Sequence, residues 1–206
     1  YVTDINQAGP LSNVRLSADA VLTDSRTINS LIIEGGADLA GAFHLTVASG
    51  AVAFEDGDSV LGADLALSLL GANQNLVTHT GNTTIDARIV TAAGQINKAG
   101  AGRLELTNEN LFAGAFNVNN GILNVQRTGA LGVSTGTTTT VRQGATLELE
   151  ETSYGAINLS LEALDATGLG FDDDADRAYE DGIGVIRNVA GNNTVAGLIT
   201  LRGDVT

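Results

Sequence analysis

The densest group of potential ligands in this chain is Asp172-Asp173-Asp174-Ala175-Asp176, with Glu180 and Asp181 close behind. Asp172, Asp174 and Asp176 place carboxylates at alternate positions, which suits calcium, an ion that takes roughly six to eight oxygen ligands. The segment departs from an EF-hand loop, because Arg177 stands where the loop glycine belongs and Ile183 where the bidentate glutamate belongs. A solvated acidic loop explains the same residues and is the preferred reading; calcium at Asp172, Asp174 and Asp176 is the alternative. Nucleophilic catalysis finds little to build on. His44 and His79 are the only histidines, there is no cysteine, and no serine sits in a Gly-x-Ser-x-Gly elbow. Glu148 and Glu150 alternate with Leu147 and Leu149, so both carboxylates face the same side of a strand and could flank a sugar. Ordinary polar-out patterning predicts the same pair, and no aromatic platform accompanies it. Arg202-Gly203-Asp204 reads as a turn after a strand, and Gly100-Ala101-Gly102 lacks the helix that a dinucleotide fingerprint requires.

The elements that would carry these residues are short strands. A glycine followed by alternating apolar residues recurs at Gly41–Val47, Gly102–Leu106, Gly121–Val125, Gly144–Leu149 and Gly197–Leu201. Further alternations lie at Leu65–Leu69, Ile85–Ile89, Phe116–Val118 and Ile157–Leu161. Such period-two runs are half-buried strands, and the Gly, Asn, Asp, Ser and Thr between them make corners. In His44's run the alternation puts the imidazole opposite Phe43 and Leu45. The glycines at 102, 121 and 144 are 19 and 23 residues apart. That interval suits one turn of a parallel β-helix of two or three short strands, whereas a sandwich has no reason to repeat one unit so regularly. Leu161–Leu164 is the best helical candidate and is very short. The chain of 206 residues is therefore expected to be all-β, one continuous β-solenoid over 1–206 with an acidic insert near 170–182.

Composition agrees with a narrow, repeated core. Twenty-six residues are glycine, one is proline, only 4% are aromatic, and Cys, Met and Trp are absent. A net charge of −14 with a single lysine, Lys98, argues against nucleic acid and against docking on anionic lipid. No run of about 18 apolar residues occurs, so membrane insertion of this segment is not expected.

The stretch Ile96–Val125, INKAGAGRLELTNENLFAGAFNVNNGILNV, resembles the passenger-associated repeat of autotransporters. Lys98, Gly100, Gly102, Leu104, Leu106, Asn110, Gly114, Gly121, Leu123 and Val125 carry the likeness. Thr128–Gly132 and Ile186–Leu201 resemble segments that adjoin such repeats in large surface proteins. The resemblance implies a right-handed single-stranded parallel β-helix on the outer surface of a bacterium, part of a much longer repeat protein. It implies no particular activity, since passengers share the shaft and differ in what is grafted on it.

The function expected is structural: an extracellular shaft or self-assembling surface fibre, with no catalysis. An adhesin presenting loops to a glycan or cell-surface ligand is the alternative, and a carbohydrate-active enzyme the third possibility. Tyr1-Val2-Thr3 and Asp204-Val205-Thr206 read as strand residues without a cap, which predicts end-to-end self-association into filaments.

Overall fold

The computed structural model describes residues 1–90, 94–133, 137–172 and 182–205. Over them the chain winds as a parallel β-solenoid. It returns nine times to one face, giving a nine-stranded sheet that runs from Asn13–Leu16 to Ile199–Val205. A second face holds eight strands, from Ala20–Val21 to Ile186–Ala190. A third, short face holds four strands, from Arg26–Ile28 to Arg88–Ile89, and gives way further along to corners that bury Asn110 and Phe112. Every pairing between named strands is parallel, as expected when each strand pairs only with the coils before and after it.

Coil length follows the sequence spacing. Arg103 pairs with Ile122 and Gly121 with Ala145 on the eight-stranded face. The register on the nine-stranded face steps from Asn73 to Gln95, then from Ile96 to Phe116. Only the last step is long, from Leu164 to Ile199, because the acidic segment is inserted there. The interior is a stack of aliphatic ladders: Leu104, Leu123 and Leu147 lie in register and are fully buried. Each such side chain removes roughly 1.5–3 kcal/mol worth of apolar surface from water.

Four expectations need correction. The run Ile85–Ile89 is not one strand: Asn82–Ile85 and Arg88–Ile89 belong to different faces. The N–H groups of Asp86 and Ala87 both donate to the Leu61 carbonyl, and the chain turns there. Leu161–Leu164 is not helical; it leads into the strand Ala163–Gly168. Phe43 precedes its strand, and it does not share the interior with Leu45: Phe43 is exposed, Leu45 buried. The first residues are not uncapped strand. Val2 makes one bridge to Val14, after which a 3₁₀ turn at Ile5–Gln7, capped by the Asp4 side chain, folds Ile5 and Ala8 over the first coil. At the far end the stack is open. Ile199 and Leu201 align with the inward-facing Leu164 and Ala166, yet are 42% and 57% exposed.

Candidate functional site

The repeat-like stretch converges on Lys98. The strand Gln95–Ala99 alternates so that Ile96 and Lys98 point inward, and Lys98 is 0% exposed. Its Nζ donates to the carbonyl oxygens of Gly100 (2.6 Å), Gly102 (2.6 Å) and Asn120 (2.9 Å), with Ala99 O at 3.3 Å. The amine thus satisfies carbonyls at the corners of two successive coils. Burial pulls its pKa from the usual 10.5 to about 7, because the interior disfavours the ammonium. Gly121 sits against this cradle with φ of +69°, and a Cβ there would lie 2.6 Å from Lys98 Nζ. Gly114 has no room for a side chain either, since a Cβ would collide with the Gly94 carbonyl. Asn110 spans three coils: its Oδ1 accepts from the Ile89 N–H at 2.8 Å, and its Nδ2 donates to the Ala130 carbonyl at 2.7 Å. Each of these motif residues serves the joint between coils.

The carboxylate pair is committed as well. Glu148 and Glu150 leave the same side of the strand Ala145–Glu150, as the alternation predicts, but Glu148 is only 3% exposed. Arg103 Nη2 lies 3.0 Å from Glu148 Oε2 and 2.8 Å from Glu150 Oε2, and Arg103 also pairs with Glu105. Arg187 reaches Glu148 Oε1 at 3.2 Å. Asn124 Nδ2 donates to both glutamates, at 3.2 and 2.9 Å. Glu105, Asn124, Glu148 and Arg187 stand in register, so the network clamps four coils. A glycosidic pair must present one carboxyl as an acid to the leaving oxygen; here arginine and amide groups occupy both.

His44 Nε2 lies 2.7 Å from Ser68 Oγ across the short face. No carboxylate pairs with His44 among the described residues, so nothing of that kind orients the imidazole as a triad requires. His79 is exposed and approaches Glu55 at 3.5 Å and Asp56 at 3.9 Å. Arg202-Gly203-Asp204 is not a turn but part of the strand Ile199–Val205. Arg202 Nε bonds Asp165 at 2.7 Å, and a register shift opposite Thr167/Gly168 accommodates the tripeptide. Of the proposed calcium ligands, Asp172 is half-buried, whereas Asp174 and Asp176 lie outside the described residues, as do Asp173, Glu180 and Asp181. Among the described residues no three His, Cys, Asp or Glu side chains gather closely enough to hold a metal ion. No helix among them is long and apolar enough to cross a membrane.

Two features escaped the sequence reading. Glu162, 8% exposed, lines a groove of about 310 Å³ together with Leu131, Leu159 and Leu161. Burial raises its pKa above the usual carboxylate value, opposed by hydrogen bonds from Thr139 (2.7 Å) and Thr137. The second is a corner device: Asp19 Oδ1 accepts the Asp38 N–H (3.0 Å), Asp38 Oδ1 the Val60 N–H (2.8 Å), and Asp58 Oδ1 the Asn82 N–H (2.8 Å). Its signal in the sequence is the near-20-residue spacing of Asp19, Asp38 and Asp58. No family model matches the chain, and neither does any curated protein or solved structure.

Proposed function

We propose that this chain is a length of structural shaft: a stiff β-solenoid displayed outside a bacterial cell, of the autotransporter passenger-associated kind that Ile96–Val125 resembles. The observation that carries the reading is where the motif residues go. Lys98, Asn110, Gly114 and Gly121 all close the joint between coils, and the glutamates that might have served an enzyme are clamped by Arg103 and Arg187. Stability in such a stack accrues coil by coil. The inward-facing Ile199 and Leu201, exposed at the open end, are a template for a further coil, which supports extension or end-to-end association there.

Small-angle scattering and electron microscopy of the purified chain test this. A rigid rod is expected, one that lengthens end to end at high concentration and stays monomeric when a polar capping coil is fused after Val205. A compact or flexible particle would overturn the shaft reading, and lengthening unaffected by the cap would overturn the end-to-end joint. A binding module is the second reading, favoured by the Glu162 groove with exposed Leu161 and Val133 on its rim. Saturable binding of a glycan, lost on changing Leu161 to Asp, would put that reading first.

A further inference from the structure

The nine-stranded face carries an uncharged window. Arg15 and Glu34 pair at its near margin, at 3.4 Å, and Asp165 and Arg202 at its far margin. Between them run six consecutive strands, Ser30–Ile33 through Thr138–Val141. Their outward positions hold Ser, Thr, Asn, Gln, Ala, Val and Ile but no charged residue. One column along the axis reads Ala51, Asn75, Asn97, Asn117, Thr140, in register. Beside it stand Ile32, Ala53, Val77 and Ala99. In a chain of net charge −14 with 24 acidic residues, such a stretch is conspicuous. The outward side of the eight-stranded face, by contrast, carries Glu105, Glu148 and Glu150.

The amides of the first column are already ordered. Asn117 Nδ2 donates to Asn97 Oδ1 at 3.0 Å, Asn97 Nδ2 approaches Asn75 Oδ1 at 3.5 Å, and Gln95 Nε2 donates to Asn73 Oδ1 at 2.6 Å. Ladders of this sort, flanked by small side chains, are what lets two sheets pack closely, roughly 10 Å apart. An amide carries both donor and acceptor, so a row of them is complementary to a copy of itself, as a two-fold interface requires. Charge decides between faces: burying a carboxylate without a partner is costly, and two acidic copies repel wherever their glutamates meet.

We propose that this window is a lateral self-association surface, at which a second copy of the chain packs face to face around Asn97. The six strands span about 24 Å along the axis at ~4.8 Å per step. The contact therefore falls in the class of weak, reversible interfaces, below about 1,200 Å², and association is expected at high concentration. The proposal concerns the flank of the solenoid and does not depend on the end-to-end joint.

Sedimentation velocity over a concentration series reads the association. Ala53→Glu with Ala99→Glu adds two outward charges that water solvates in the monomer. This variant should keep the wild-type circular dichroism and melting midpoint while weakening association tenfold or more. Because the chain has no cysteine, Asn97→Cys should form an intermolecular disulfide under mild oxidation much faster than Asn82→Cys, on the eight-stranded face. Leu198→Lys with Leu201→Lys, which charges the open end, should leave the pairing intact. If that end variant abolishes association, the joint is at the end and the face assignment is wrong. Wild type that stays monomeric throughout, or equal cross-linking at 97 and 82, also overturns the proposal. Should the monomer instead pellet with an insoluble neutral polysaccharide, and the double-glutamate variant not, the window is a glycan surface and not a self-contact.

Discussion

Lys98 is the residue whose environment departs furthest from its ordinary one. The folded chain gives up the Lys98 proton at about pH 7, the unfolded chain near the usual 10.5. Between those values the unfolded state binds more protons, so stability climbs with pH, by up to about 1.4 kcal/mol per unit. Lys98→Met removes that slope and strands the carbonyls of Gly100, Gly102 and Asn120. Urea unfolding at pH 7 and pH 10 should show wild type gaining on the variant; a loss would mean that the core holds the ammonium. The interior ladders give a second prediction. Leu104→Asp or Leu123→Asp puts a charge in the aliphatic stack and should prevent folding, whereas Glu105→Ser costs about 1 kcal/mol or less, as partly exposed ion pairs do. Asn124→Ser is expected to cost more than Glu105→Ser, since Asn124 is fully buried beneath Arg103 and the glutamates it bonds.

At the scale of the element, Gly102–Leu106, Phe116–Val118 and Gly121–Val125 were legible because a strand writes its inside and outside in alternate letters. Alternation is silent on two matters. It cannot reveal a corner that falls between two alternating pairs, which is how Asn82–Ile85 and Arg88–Ile89 merged into one run. Nor can it tell an outward residue in water from one covered by neighbours several coils away, which is why Asn124 and Glu148 read as solvated. The inward position of Lys98 was readable, two residues after Ile96, yet a lysine there runs against every expectation of burial. Corner chemistry was hidden for another reason: acceptor and donor lie about twenty residues apart, and only the stack brings them together. Asn110→Ala leaves the Ile89 N–H and the Ala130 carbonyl unpartnered and should cost about 2–4 kcal/mol, against about 1 kcal/mol for Asp38→Ala at its more exposed corner. Denaturant midpoints of the two variants measure the difference.

For the whole molecule, what holds the described coils together is backbone pairing along three faces and the aliphatic column inside them. An excess of chelator should therefore leave the far-ultraviolet circular dichroism and the melting midpoint unchanged. Unfolding on removal of calcium would instead make the segment around Asp172 a structural metal site. The lack of charge between Arg15 and Asp165 also bears on solubility at this scale. Adding salt screens the acidic faces and should promote, not weaken, association through the amide window.

The uneven register along the nine-stranded face has a mechanical consequence. Pulled from its ends, a parallel stack loads its hydrogen bonds one coil at a time, so the chain should yield in a sawtooth. Releasing the 22 residues from Asn73 to Gln95 frees about 75 Å of extended chain, at roughly 3.4 Å per residue. The 35 residues between Leu164 and Ile199 free about 120 Å in one event, at the same rise per residue. The insert should therefore read as a single long tooth in a force trace, a ruler mark that locates the acidic segment along the fibre.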